Sequence, residues 1–247
     1  MASFSLCGER LASTIDRSNF KTMPHRPPMF DILHEDDQLI VLLKPAGLPT
    51  ANAESGANSV YSLLRRNRPA GDFIGVVSRL DAAVSGVLVM AKTRAAAADL
   101  SRQFRDRLVE KMYGAVVEGR FPAPLGQWMD WHDIIARHEP EAQGQPGRPA
   151  HVQARVVKRA GEISLVELKP STGRRHQLRL QLSQRRCPIV GDRLYGARIP
   201  LVKGQIALHA RKLALVHPLN GKRLEWEAAW PADWQARFSL LLGTRYR

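Results

Sequence analysis

Val76-Val-Ser-Arg-Leu-Asp81 runs straight into Ala82-Ala-Val-Ser-Gly86 and then into Val87-Leu-Val-Met90. An apolar, β-branched segment ends on an acid, small residues turn the chain, and a second apolar run re-enters the core. Ile74–Arg79 and Gly86–Lys92 therefore read as strands flanking Asp81–Ser85. An Asp caught between two buried strands is held rigidly, as a nucleophile must be. The commoner fate of such an Asp is a turn in which the carboxylate bonds its own backbone. The segment by itself leaves both readings open.

The pattern continues on either side. Upstream, Phe30–His34, the acidic turn Glu35-Asp36-Asp37 and Gln38–Lys44 read as strand, turn and strand, stopped by Pro45-Ala-Gly47. Tyr61–Arg66 reads as a short helix. Downstream, Thr93 is a plausible N-cap for a helix running to about Leu108, in which Ala96, Leu100, Phe104 and Leu108 form one apolar stripe. Lys111–Glu118, His151–Lys158, Ile163–Lys169, Ile206–Val216 and Arg223–Trp226 read as strands. Pro140–Pro149 reads as a loop and His176–Ser183 as a helix. Long helices do not alternate regularly with the strands, so the expected class is α+β with a large, mainly antiparallel sheet.

The chain has 247 residues and a formal charge of +14, carried by 28 Arg and only 9 Lys. That length suits one domain that buries roughly 70–75 % of its unfolded surface. We expect residues 1–29 to be a disordered tail and 30–247 the domain. Arg offers a planar fork for phosphates and a flat face for stacking on bases, so an anionic partner, nucleic acid first, is expected. The two cysteines, Cys7 and Cys187, form no CxxC pair and fit a reducing compartment. No secretory leader and no run near the ~18 apolar residues of a membrane span is visible, so a cytoplasmic protein is expected, an organelle being the alternative. GxGxxG, the P-loop, GxSxG, HExxH and a metal-ligand cluster are all missing, so no cofactor and no metal are expected.

Read together, the blocks resemble the RluA-type family of RNA pseudouridine synthases, in order from about Phe30 to Trp234. They are Asp31-Ile-Leu-His-Glu-Asp-Asp-Gln-Leu-Ile-Val41 with Lys44-Pro-Ala-Gly-Leu-Pro49, then Ser78-Arg-Leu-Asp-Ala-Ala-Val-Ser-Gly86, then Lys111-Met-Tyr-Gly-Ala115. Thr172-Gly-Arg-Arg-His-Gln-Leu-Arg179 follows with Pro188-Ile-Val-Gly-Asp192 and Tyr195-Gly196, and Leu208-His-Ala210 with His217-Pro218 comes last. Two positions depart from the family pattern: Ser78 stands where His is usual, and Val84 where Thr is usual.

The resemblance implies the pseudouridine synthase fold and a cofactor-free isomerisation of uridine within RNA. The C1′–N1 bond breaks, the uracil turns, and C1′–C5 forms. It assigns the catalytic Asp to Asp81, acting as a nucleophile or by way of a glycal-type intermediate. Its cationic partner maps onto Arg179, which stays charged and can grip a carboxylate bidentately. Tyr113 maps onto the family's tyrosine, a ring to stack on uracil and a phenol that could help remove the C5 proton. Arg79 would fill the gap left by the flipped base, or else contact a phosphate. Thr172–Arg198 holds seven Arg against the single acid Asp192; there Arg174, Arg175, His176, Arg185 and Arg186 are RNA-binding candidates, with Lys44 added and a second cluster at Arg65, Arg66 and Arg68. About 30 residues precede the first block, too few for the S4-type domain that many members carry. A monomer acting on ribosomal or transfer RNA is expected. Two competing readings are an RNA-binding or ribosome-assembly protein that lost the chemistry, and a hydrolase using Ser85 or His176.

Overall fold

A computed structural model describes residues 30–51, 58–121, 123–136 and 146–243. The expected tail, 1–29, and most of the expected 140–149 loop lie outside the described residues. Two apolar runs establish the sheet's centre. β2 (Leu39–Lys44) and β4 (Ser85–Ala91) are buried almost throughout, and they pair antiparallel from Leu39↔Ala91 to Lys44↔Gly86. Such continuous burial means that both faces are covered. Ile40, Leu42, Leu88 and Met90 face one core with α1 (Val60–Arg66), whereas Leu39, Val41, Val87 and Val89 face a second with α2 (Arg94–Arg105).

The remaining strands are β1 (Asp31–Glu35), the two-residue β3 (Gly75–Val76), β5 (Glu110–Glu118), β6 (Met129–Ile135), β7 (Arg148–Ala160), β8 (Ile163–Pro170), β9 (Leu208–Val216) and β10 (Arg223–Glu227). Their order is β1-β2-β4-β9-β5-β8-β7-β6, with β10 on β9 and β3 on β4. Among the paired strands only β4 and β9 run parallel, over Ser85↔His209 and Gly86↔Ala210. The sheet is therefore mainly antiparallel, as the sequence implies. α3 (Gln177–Gln184), α4 (Ala232–Arg237) and α5 (Ser239–Leu242) bury Leu178, Leu182, Trp234 and Leu241 against the larger core, with Phe238 between the last two helices.

Two local features open the sheet at its middle. At Gly86, φ is +126°, and a Cβ would lie 2.3 Å from the Ala210 oxygen and 2.5 Å from its nitrogen. Only glycine lets β4 and β9 touch there. Beyond that contact the ladders part. β5 pairs β8 no further than Tyr113↔Leu168, after which Glu110–Met112 stay with β9 while Lys169 and Pro170 stay with β7. The cleft so formed has Tyr113 at its root.

The expected strand 74–79 contracts to Gly75–Val76, because the chain leaves the ladder to build the turn at Asp81. The α2 stripe is real for Ala96, Leu100 and Phe104, but Leu108 lies past the end of the helix and is 55 % exposed. Strand β6 and helices α4 and α5 were not anticipated. Among the described residues no helix is long and apolar enough to cross a membrane.

Candidate active site

Asp81 sits in the turn between β3 and β4, and backbone pairing holds that turn on several sides. Thr50 Oγ1 donates to the Leu80 carbonyl at 2.8 Å and accepts the Leu80 N–H at 3.1 Å. The Gly47 N–H donates to the Ala82 carbonyl at 2.7 Å, the Ile206 N–H to that of Ala83 at 3.2 Å, and the Val84 N–H to that of Asp81 at 3.0 Å. Leu80 and Val84, on either side of the acid, are buried and anchor it by packing. The Asp81 carboxylate is thereby presented at a fixed point, which is what a nucleophile needs.

Lys44 is part of this support, and it corrects the expectation that it meets RNA. It is fully buried at the end of β2, and its ammonium donates to the carbonyls of Leu48 at 2.7 Å, Pro45 at 2.9 Å and Ala82 at 3.2 Å. Three donors meet three acceptors, so no phosphate is needed to satisfy it. Burial pushes its pKa down to about 7, opposed by the Asp81 carboxylate.

Arg179 comes to Asp81 from α3. Its guanidinium reaches Asp81 Oδ2 with one nitrogen, at 3.3 Å. The bidentate grip falls instead on Asp192, with Nε to Oδ2 at 2.7 Å and Nη2 to Oδ1 at 2.8 Å. Arg179 thus bridges two carboxylates, which modifies the expected arrangement. Burial alone would lower its pKa, but the two carboxylates outweigh that and raise it. The plane also lies 4.9 Å from the ring of Tyr195. Asp192 is the lone acid of the Arg-rich stretch. It also ends the Pro188-Ile-Val-Gly-Asp192 block of the resemblance, but its pairing with Arg179 is made in three dimensions.

A cavity of about 120 Å³ collects Asp81, Arg179, Tyr113, Arg79, Arg174 and His176. It adjoins a groove of about 440 Å³ that shares Arg79, Lys111, Tyr113 and Arg174. A larger hollow of about 560 Å³ lacks Asp81, but it shares Lys111, Arg107 and Lys212 with that groove and continues it along the split in the sheet. Tyr113 projects from β5 at the cleft root. Burial raises its phenol pKa and the nearby Asp81 charge raises it further, so it is a protonated phenol at neutral pH. Lys111, on the same face of β5, lines all three spaces, and burial lowers its pKa. The sequence places it at the start of a strand and of the block that holds Tyr113, with no role of its own.

His176 stands closer to the chemistry than a phosphate contact would. Its Nε2 is 3.6 Å from Asp81 Oδ2 and its Nδ1 is 2.8 Å from the Tyr195 hydroxyl. It holds a left-handed backbone with φ +54°, which costs a non-glycine residue about 1–2 kcal/mol. Gln177 braces the loop before it, accepting from the Arg174 N–H at 3.1 Å and from the Thr172 hydroxyl at 2.8 Å.

The other expected RNA contacts divide. Arg79, two residues before Asp81, is exposed at the cavity mouth, and Arg175, next in the chain to the cavity-lining Arg174, is exposed. Arg174 lines the same mouth, with Nε on the Pro149 carbonyl at 3.0 Å. Arg185 is a correction. It pairs with Asp133 at 3.1 Å, donates to the Gln181 carbonyl at 3.0 Å and lies 4.0 Å over the Trp131 ring, which ties α3 to β6. Arg186 is exposed beyond the end of α3, a helix roughly 12 Å long that starts next to His176. Arg65, Arg66 and Arg68 serve Asp72, Asn58 and Glu35 respectively. The hydrolase reading fails on geometry. Ser85 is buried, and its hydroxyl lies 2.8 Å from His209, itself 2 % exposed, rather than from His176.

Comparison with known proteins identifies the family. The family model described as RNA pseudouridylate synthase matches residues 38–184. The dual-specificity RNA pseudouridine synthase RluA of Escherichia coli (strain K12) is 36 % identical over 217 residues, 85 % of this chain and 96 % of that one. The ribosomal large subunit pseudouridine synthase C of Vibrio cholerae is 33 % identical over 210 residues, 80 % of this chain and 64 % of that one. Among solved structures, human RNA pseudouridylate synthase domain containing 4 superposes with a TM-score of 0.66 at 28 % identity, covering 82 % of this chain and 89 % of that one. With the family matched across most of its length, the chain belongs to the RluA-type RNA pseudouridine synthases, which are isomerases.

Proposed function

We propose that this enzyme isomerises specific uridines of ribosomal or transfer RNA, with Asp81 as the group that attacks the nucleoside. The observation that carries the reading is the convergence of Asp81, Tyr113 and Arg179 on one small cavity from three distant parts of the chain. Both known partners of the carboxylate address Oδ2, which leaves Oδ1 for the substrate. In the nucleophilic route Oδ1 attacks C1′, and the C1′–N1 electron pair leaves with uracil. The freed base turns, and C5 attacks C1′ and displaces the carboxylate. The C5 proton is then lost and N1 gains one. In the glycal route the carboxylate first takes the 2′ proton. Each route needs an ionised Asp81, and Arg179 supplies the fixed positive charge that favours it.

Tyr113, protonated and at the cavity root, serves as a stacking surface for uracil and as a hydrogen-bond donor. Arg79, exposed at the mouth, fills the place that the flipped base vacates in the RNA. The relative named for the ribosomal large subunit supports ribosomal RNA among the substrates. A binding-only protein would have no use for a carboxylate, a buried arginine and a tyrosine gathered in one pocket.

The test is a pseudouridine map of total RNA from cells with the gene, without it, and with the gene carrying Asp81→Ala. We expect one or a few sites to vanish in both altered strains. Identical maps would refute the proposal, and a site retained with Asp81→Ala would refute the role of Asp81.

A further inference from the structure

We infer that the groove beside the catalytic cavity is a phosphate-binding track for the single strand of RNA that flanks the target uridine, with Lys111 as its innermost anchor; this deepens the function proposed above and rests on it. Six cations line the groove of about 440 Å³: Arg79, Arg105, Arg107, Lys111, Arg174 and Lys212. Among the described residues no carboxylate lines it. The whole chain carries 23 acidic against 37 basic residues, so cations without an interspersed acid are not its ordinary surface. The apolar side chains of Val77, Val87 and Leu213 form part of the wall. A cleft of one charge sign with low-dielectric walls focuses its field and gathers the opposite charge. A groove of this volume takes a single strand, whereas a duplex has to stay outside it.

The cations come from separate elements, and most have no internal task. Arg105 ends α2, where a cation suits the helix dipole, and its one acidic neighbour, Asp106, is 3.7 Å away. Arg107 and Lys111 lie beyond that helix, and among the described residues neither side chain has a hydrogen bond or an ion pair. Lys212 is the exception, held by Glu227 at 2.8 Å. Lys111 is the most informative. It is half-buried, burial lowers its pKa, and no carboxylate offsets that. A cation drawn out of water without a counter-charge is costly, and an RNA phosphate would supply the counter-charge. Lys111 and Tyr113 share a face of β5, about 7 Å apart along the strand. With uracil stacked on Tyr113, that spacing sets Lys111 at the sugar–phosphate side of the flipped nucleotide, and Arg107 and Arg105 extend the line of cations outward.

The test follows binding of a fluorescent ten-residue oligouridylate by the full chain as salt is raised. Single strands contribute about 0.7 to the log–log slope per phosphate contact. Arg105→Ala combined with Arg107→Asn should therefore flatten the slope by about 1.4, Asn being chosen because position 107 has a left-handed backbone with φ +61°. Lys111→Met should flatten it by about 0.7. The charge-matched change Lys158→Ala with Lys222→Ala, at exposed positions outside the groove, should leave it within about 0.3. On a GC-rich RNA duplex the Arg105/Arg107 change should have no such effect. In single-turnover reactions on unmodified transcripts of large-subunit ribosomal and transfer RNA, the same change should raise the RNA concentration for half-maximal rate at least threefold, with the saturated rate within about threefold. The track is overturned if the oligouridylate slope is unchanged, if the control pair flattens it equally, if the duplex responds as the single strand does, or if half-saturation does not move. A wild type that shows these slopes but forms no pseudouridine on any transcript would overturn the function, and with it the link to a target uridine, while the track for single-stranded RNA stands.

Discussion

At the scale of single residues, the two most instructive side chains are Lys44 and Arg179, since the fold replaced the partner expected for the first and added Asp192 to the Asp81 expected for the second. Lys44 follows an apolar strand, and a cation there reads as a surface charge. The turn at Pro45–Leu48 and the catalytic turn close over it, and three carbonyls take the place of a phosphate. Removing its ammonium takes that donor from the Leu48 and Pro45 carbonyls and leaves the Ala82 carbonyl with the Gly47 N–H alone. Lys44→Met should therefore lower stability by about 2–4 kcal/mol in urea unfolding, and a loss below about 0.5 kcal/mol would contradict the assignment. The identities of Asp81, Tyr113 and Arg179 were legible because each lies in a contiguous motif. Asp192 and Tyr195 were not given roles, because their partners on α3 are brought to them only by the tertiary fold.

At the scale of elements, a network around Asp36 joins two hairpin turns. Its carboxylate accepts the N–H groups of Gln38 and Leu39 at 2.7 and 2.9 Å, and meets His34 and His217 at 2.9 and 3.1 Å. His217 lies beyond β9, so the β1–β2 turn is tied to the β9–β10 turn. Burial would raise the Asp36 pKa, but these bonds outweigh it and hold the pKa at about 2. A carboxylate depressed in the folded state stabilises above its unfolded value near 4, and that contribution is lost as pH falls through about 2. Asp36→Asn should thus cost about 1–2 kcal/mol at pH 7, with the gap to wild type closing between about pH 4 and 2 in matched unfolding curves. A gap independent of pH would contradict it. Elements with a local signature were readable. The α2 helix has its Thr93 cap, with the Ala96 N–H donating to the Thr93 hydroxyl at 3.0 Å, and a four-residue apolar repeat. Strand β6 escaped because Asp133 falls on its inward face and Ile134 on its exposed one, which breaks the alternation; Asp133 is satisfied from α3, through Gln181 and Arg185. Helices α4 and α5 are too short to show a period.

At the scale of the whole molecule, the +14 charge separates into distinct uses. Some arginines hold the fold together, such as Arg185 on Asp133 and Arg155 on Glu167. Arg179 charges the active site. Arg79 and Arg174 line the cleft mouth and Arg175 is exposed next to Arg174 in the chain, a set that the proposed function would turn to the RNA backbone. RNA affinity should fall steeply with salt, and the double change Arg174→Ala, Arg175→Ala should flatten the log–log slope by about 1.5. An unchanged slope would remove these two from the interface. The mainly antiparallel sheet was legible from its strand runs. The split that makes the cleft was not, because it arises where ladders end rather than from any residue pattern.

The central claim is that the Asp81 carboxylate performs the chemistry, and Asp81→Asn tests it most directly. The amide keeps the size and much of the hydrogen bonding of the side chain but lacks the nucleophilic oxygen. Single-turnover pseudouridine formation, measured with RNA saturating, should fall by about 10⁴-fold or more while RNA affinity stays within about threefold. A variant that converts bound RNA within about tenfold of the wild-type rate would contradict the account.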